Sequence, residues 1–322
     1  MKTENGKSLL IVLLILTLIA TGCSQTASEA AGKGELQGTI TVSGAWALYP
    51  MMIRWSEEFQ AFHPNVQFDI SAGGAGKGMA DALANAVDIG MVSREIYSAE
   101  EEKGAFYVPV VKDAVFPTVN EKNPVLAKIL QQGVSQQTFT DIFITGQVTT
   151  WGQVVGQSSE TSPIHVFTRS DAAGAPATWA TYLSGQQEDL LGIGVYGDPG
   201  LLDAVIKDPL GIGFNNLNYI FDMESGQFIP GIRTIPLDVN GNGQADPEEI
   251  YTTKEQAVNA VATDNYPSPP ARDLYLVTQG QPTGLVKTFI AWVLTDGQKY
   301  VDEAGYVALP PDKLNDARQK LD

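Results

Sequence analysis

Three short segments in which a Gly- or Ala-rich turn opens a helical pattern hold the residues with chemistry in them. They are VSGAWALYP (Val42–Pro50), SAGGAGKGM (Ser71–Met79) and FTRSDAAGAPAT (Phe167–Thr178). The free N–H groups of a helix's first turn and the helix dipole both favour negative charge. Arg169 adds a planar guanidinium suited to a tetrahedral oxyanion. Converging on one point, the three turns would form an anion pocket. Its candidate residues are Ala45, Trp46, Ala47 and Leu48 in the first turn, and Gly74, Ala75, Gly76 and Lys77 in the second. The third supplies Arg169, Asp171, Ala173, Gly174 and Ala175. Nucleotide readings of the second turn fail. A P-loop needs Gly where Ser71 stands and Ser or Thr where Gly78 stands, and the glycine spacing is not that of a dinucleotide fingerprint.

A second constellation runs from Asp238 to Glu249 and follows the twelve-residue EF-hand loop. Asp238, Asn240 and Asn242 give side-chain oxygens at positions 1, 3 and 5, and Gly243 permits the turn at 6. Gln244 offers its carbonyl at 7, Asp246 sits at 9, and Glu249 supplies the bidentate carboxylate at 12. The flanks depart from an EF-hand: Ile232–Leu237 reads as a strand, and only Glu255–Ala262 reads as a helix. The expectation is an EF-like loop holding a structural calcium ion. No catalytic set competes, because His63 and His165 are the only histidines and neither has a cysteine or other nucleophile to pair with. The chain reads as a non-enzyme.

The elements that must position these turns alternate. Strand-like Thr39–Ala45, Asn65–Ser71 and Val87–Val92 enclose helical patterns over Met51–Phe62 and Gly76–Ala86, which predicts an α/β lobe of mostly parallel strands. Phe106–Asn120 has the long apolar character of strand crossing between lobes. Ile164–Thr168, a helix near Ala177–Tyr182 and Ile212–Asn216 build a second unit. The tail, a strand over Arg272–Thr278 and an amphipathic helix over Thr283–Gly305, returns to the first. Boundaries follow: 37–113 with 266–322 as lobe 1, and 114–265 as lobe 2 carrying the 238–249 loop.

Lys2 and Lys7 precede an apolar run, Leu9–Ala20, too short to span a bilayer. Residues 1–22 read as a signal peptide ending in Ala20-Thr21-Gly22-Cys23, similar to a lipobox. Cys23 is the one cysteine, placed for lipidation rather than a disulfide. The Ser/Ala/Gly-rich stretch within 23–36 reads as a flexible tether. The formal net charge is -17 and becomes one unit more negative on cleavage before Cys23. So acidic a surface argues against nucleic acid or anionic lipid as a partner, leaving the lipid anchor as the expected membrane contact.

The chain resembles the phosphate-type solute-binding proteins of ABC transporters. The resemblance runs through the SG…YP turn with Trp55–Phe59, Gly73–Gly78, Val87–Glu95, Thr138–Trp151, Arg169–Gly174, Gly211–Phe214 and the closing Ala304–Pro310. It implies a two-lobed type II periplasmic-binding-protein fold, α/β, with two crossovers and a central cleft. It also implies an exported, membrane-tethered monomer that delivers its oxyanion to an ABC permease. By the same resemblance Asp171 orients Arg169, and Asp88 accepts the proton of hydrogen phosphate. Where the family pattern carries Ser or Thr, this chain has Ala45, Ala47, Ala75, Ala173 and Ala175. A hydrogen bond to a charged group contributes about 1.5–3 kcal/mol, so losing three removes several decades of affinity. Lys77 and Trp46 are the residues placed to compensate. The same pattern suits a less polar ligand, or a sensor, adhesion or assembly protein that kept the fold and lost tight phosphate binding.

Overall fold

The computed structural model describes residues 35–322. The signal-peptide, Cys23 and most of the tether readings lie outside the described residues. Strands, in chain order, are β1 (Gly38–Gly44), β2 (Val66–Ala72), β3 (Ile89–Val92), β4 (Ala105–Asn120), β5 (Val134–Ser135), β6 (His165–Arg169), β7 (Ile193–Val195), β8 (Gly211–Asn216), β9 (Ile232–Thr234), β10 (Leu237–Asp238) and β11 (Ala271–Gln279). The nine-stranded sheet runs β2-β1-β3-β11-β4-β8-β6-β7, with β9 also on β4, while β5 and β10 pair separately.

The length of β4 explains how one sheet serves two lobes. Its Ala105–Ala114 half pairs antiparallel with β11, the register shifting between Leu274 and Tyr275, and the rest pairs with β8 and β9. The parallel β2-β1-β3 set therefore hangs on one half of β4, and the parallel pairs of β6 with β8 and β7 belong to the other half. Each half buries its own apolar core. Trp55, Phe59, Met91, Phe289 and Val293 pack in the first, with Phe59 edge-on to Phe289 at 5.2 Å. Phe139, Phe143, Trp151, Trp179 and Phe214 pack in the second. Val111 and Leu274 belong to the first core while Ala114 and Ala271 belong to the second, so the lobe boundary crosses β4 and β11 within a few residues.

The parallel strands β1, β2 and β6 end in the three turns singled out by sequence. Helices Tyr49–Phe62, Ala75–Leu83 and Gly174–Tyr182 start there, so their N-termini face the seam between lobes. The tail departs from expectation. Its helix spans Gly284–Val293 and gives way to a short 3-10 turn at Asp296–Tyr300. The break falls where Gly297 packs under Trp292 and its carbonyl accepts the Trp55 indole N–H at 2.9 Å. A continued α-helix would not leave that carbonyl free.

Candidate functional site

The first turn leaves β1 at Gly44, whose carbonyl accepts both Gly73 and Gly74 N–H groups at 2.9 and 3.0 Å, tying the first and second turns together. Ala45, Ala47, Leu48 and Ala75 are buried. Gly74 has φ +93°, and a methyl group built on it would stand 2.7 Å from the carbonyl oxygen of Ala172 in the third turn. Only glycine serves there, because the lobes touch. Gly76 N–H donates to Ala172 O across the seam at 3.0 Å. Gly174 is equally cramped: a methyl there would fall 2.0 Å from Ser93 Oγ, just past β3. The three turns meet.

The second lobe brings the charge. Arg169 Nε and Nη2 donate to the two oxygens of Asp171 at 2.7 and 2.5 Å, and Nη1 donates to Asp198 Oδ2 at 2.5 Å. The Arg169 side chain is fully buried, and the two carboxylates nearly so. Burial alone would push the guanidinium pKa down; the charges of Asp198 and Asp171 outweigh it and hold the pKa above its ordinary value. Asp198 Oδ1 accepts Asn216 N–H at 3.2 Å, and Asp171 Oδ1 accepts Gly197 N–H at 3.2 Å. Against Gly197 lies the Trp46 indole, edge-on to Tyr196, so an aromatic wall closes the first turn onto the second lobe. Tyr219 and Tyr306 hydroxyls donate to the carbonyls of Trp46 and Ala47 at 3.1 and 2.6 Å. The Trp46 Nε1 atom is buried without a hydrogen-bond partner among the described residues.

Behind this wall sits a second buried pair. Asp113 on β4 faces Arg272 on β11 at 3.6 Å, and among the described residues neither Asp113 oxygen accepts a hydrogen bond within 3.5 Å. Desolvation pushes the Asp113 carboxyl up to about 6, with Asp198 adding and Arg272 and the nearby Ala114 and Leu217 N–H groups opposing. Arg272 Nε also donates to Ser93 O at 3.3 Å and Nη2 donates to Asn216, so one side chain spans both lobes at the crossover.

Two sequence expectations are corrected. Asp88 is exposed at the other end of β3, where its carboxylate accepts Thr41 N–H and Oγ1–H at 2.7 Å. Thr41 lies four residues before Ala45 on an extended strand, so Asp88 is about 13 Å from the turns at 3.3 Å per residue. A carboxylate that caps the start of β3 has no reach to the seam. Lys77 is exposed as well and turns along its own helix to pair with Asp81, which also accepts Ser43 Oγ–H at 2.6 Å. An i,i+4 partner on the same helix face explains that direction. Sequence reasoning missed Asp198, Asp113, Arg272, Ser93 and the two tyrosines. Gly197-Asp-Pro-Gly200 is a helix-start signal, but nothing in it links to Arg169.

Residues 29–297 match the family model of the PBP superfamily domain. The chain belongs to the PBP superfamily. It is 24% identical over 320 residues to the phosphate-binding protein PstS of Bacillus subtilis, covering 97% of this chain and 96% of that one. It is 26% identical over 372 residues to the phosphate-binding protein PstS of Methanocaldococcus jannaschii, covering 97% and 94%. In fold it is similar to a Clostridium perfringens protein solved with bound phosphate, at TM-score 0.69 and 21% identity, covering 85% of this chain and all of that one.

This PBP-superfamily chain carries its second candidate site in lobe 2, in the loop between β10 and helix Lys254–Ala262. Asp238 and Glu249 are buried. Asp238 accepts Asn242 and Gly243 N–H groups at 3.0 Å, and Glu249 accepts Val239 and Asp246 N–H groups at 2.8 and 3.1 Å. The amides of Asn240 and Asn242 donate to Asp246 at 2.7 and 2.9 Å, and the Asn242 side-chain oxygen accepts Gln244 N–H. The loop offers carboxylates, amide oxygens and a backbone carbonyl, a donor set that fits calcium in kind, with Asp238 and Glu249 buried and Asn240, Asn242 and Gln244 exposed. Among the described residues no three His, Cys, Asp or Glu side chains group as a ready metal cage.

Proposed function

We propose that this chain is the solute-binding component of an ABC importer and captures a phosphate-type oxyanion between its lobes. The observation that carries the reading is the meeting of three helix-opening turns with Arg169 at one seam. The relatives named for phosphate binding support the ligand class. Closure of the lobes about β4 and β11 is the step a permease would read. Export and a lipid anchor at Cys23 belong to the same proposal, with the mature protein a monomer. Among the described residues no helix is long and apolar enough to cross a membrane. We further propose that the 238–249 loop holds a structural calcium ion, with Asp238, Asn240, Asn242, Gln244, Asp246 and Glu249 as ligands.

The test is calorimetric titration with phosphate, sulfate, molybdate and phosphate esters. Binding of at least one oxyanion is expected. Arg169→Lys keeps the charge and loses the two-pronged geometry, so it weakens that binding by about 100-fold while the protein still melts cooperatively. One observation favours a second reading. The Gly76–Ala172 hydrogen bond and the Trp46–Gly197 contact close the seam directly, protein on protein. A protein that kept the fold and gave up capture, serving as a sensor, adhesion or assembly factor, would look the same. No heat with any oxyanion in a cooperatively melting protein decides for that reading.

A further inference from the structure

Arg169 is the residue through which an oxyanion would be gripped, and three of its five N–H bonds are already spent on carboxylates. Asp171 takes two of them side-on. The third goes to Asp198, a residue from a different segment, brought in by the first turn of helix Gly197–Lys207. Asp198 is fixed in place: it is fully buried, its other oxygen accepts Asn216 N–H, and its carbonyl accepts the Asn215 amide at 3.2 Å.

The charges around it come from every packed element. Arg169 and Asp171 stand on β6 and the turn after it, Asp113 on β4 and Arg272 on β11, and the Tyr219 phenol faces the same centre. Two buried cations face three buried carboxylates. Lys77 adds nothing, since it pairs with Asp81 on its own helix. The five alanines of the turns offer methyl groups in place of hydroxyl donors. Burial is the main cause that pushes the Asp113 carboxyl up; Arg272 opposes it, and the charge of Asp198 adds to it.

We propose that Asp198 is a resident counter-anion on Arg169, and that it makes the seam select singly charged oxyanions over doubly charged ones. This rests on the capture reading above and names the charge class of its ligand. A monoanion entering as the seam opens meets an arginine that still has two N–H groups to give. A dianion brings a second charge against an excess of carboxylate in a water-poor space, where like charges repel strongly. Asp198 is a specificity-determining residue here, acting on the ligand through the guanidinium it neutralises.

The test uses the mature protein at pH 8, with sulfate and methanesulfonate as probes. They share a tetrahedral sulfur centre, differ by one charge, and do not titrate there. The wild type is expected to bind methanesulfonate more tightly than sulfate. Asp198→Asn removes the charge at equal size, and Asp198→Ser removes it with a smaller side chain in case the amide disturbs the Arg169 and Asn216 contacts. Both are expected to tighten sulfate and phosphate binding by about tenfold or more and to change methanesulfonate binding by less than about threefold. A wild type that prefers sulfate overturns the inference. So do folded variants whose sulfate and phosphate affinities stay unchanged, and in that case phosphate binding by the wild type leaves the capture reading standing. No binding of any probe or phosphate by wild type and variants overturns both.

Discussion

The two faces of the seam are made of different materials. At the turns themselves the first lobe contributes backbone and methyl groups: Ala45, Ala47 and Ala75 are buried, and the cation of its second turn, Lys77, points elsewhere. The second lobe contributes Arg169, Asp171 and Asp198, all buried and joined to one another. At its alanine positions a face of amides and methyls tolerates change, since any residue but proline keeps its N–H. A buried ion network does not, because removing one member leaves another charged and desolvated. Asp171→Ala should therefore cost about 3–5 kcal/mol of stability, because it strips two hydrogen bonds from a fully buried guanidinium. Ala75→Ser, on the opposite face, should change stability by about 1 kcal/mol or less, with a hydroxyl that reaches the free N–H groups of its own helix start. Denaturant midpoints of the two variants check the contrast. Equal costs would mean that the lobes share the load and the asymmetry is only one of composition.

The Asp113–Arg272 pair sharpens the same point at the crossover, with a sign that can be worked out. The Asp113 carboxyl stands near 6 in the folded protein, against about 3.9 in an unfolded chain. Between those values the unfolded chain releases its proton first while the folded one keeps it. Stability from this group is therefore full below about pH 4 and falls by about 2–3 kcal/mol as pH rises to 6 and beyond. Asp81 and Glu100 carry carboxyls that are held low and pull the other way, so the informative quantity is a difference. Asp113→Asn is neutral at every pH and should flatten this component. Subtracting its stability profile between pH 4 and 8 from that of the wild type should leave a step centred near pH 5. A featureless difference would mean that Arg272 holds Asp113 ionised throughout.

How much of this could be read from the chain follows from the range of each interaction. The turns were legible because a Gly-rich run between a strand and a helix is a local pattern. Arg169 with Asp171 was legible through the family resemblance, which pairs two residues standing two positions apart. The long apolar character of Phe106–Asn120 was read as strand crossing between lobes; in the fold Val111 lies in the first core and Ala114 in the second. Asp198 lies 29 residues from Arg169, and Arg272 lies 159 from Asp113; no spacing rule connects such pairs. Asp88 misled for the opposite reason. Its neighbours Val87 and Ile89–Val92 are the right strand, but the seam lies at that strand's far end, where Ser93 sits. A pattern match located the element without fixing which end of it faces the site. The tail helix was drawn too long because its amphipathic period continues through a turn that Gly297 breaks.

The 238–249 loop gives the smallest expected effect and the cleanest contrast with the seam. At the seam, each buried carboxylate leans on a buried arginine. In the loop, Asp238 and Glu249 lean on backbone N–H groups, and among the described residues neither forms an ion pair. Their charge shows in the Tyr182 phenol, which burial first and then Glu249 and Asp238 push up to about 12. A calcium ion would supply the missing positive charge. At tenfold excess over its dissociation constant it should add about 1.4 kcal/mol, or roughly 3 °C in Tm for a chain of this size. Glu249→Gln removes the bidentate ligand and should abolish the rise, whereas Arg169→Lys should leave it intact. A rise that survives Glu249→Gln would place the ion elsewhere on this acidic surface. No rise in the wild type would mean that the backbone N–H groups alone satisfy the two carboxylates, which would make the loop a turn stapled by its own amides.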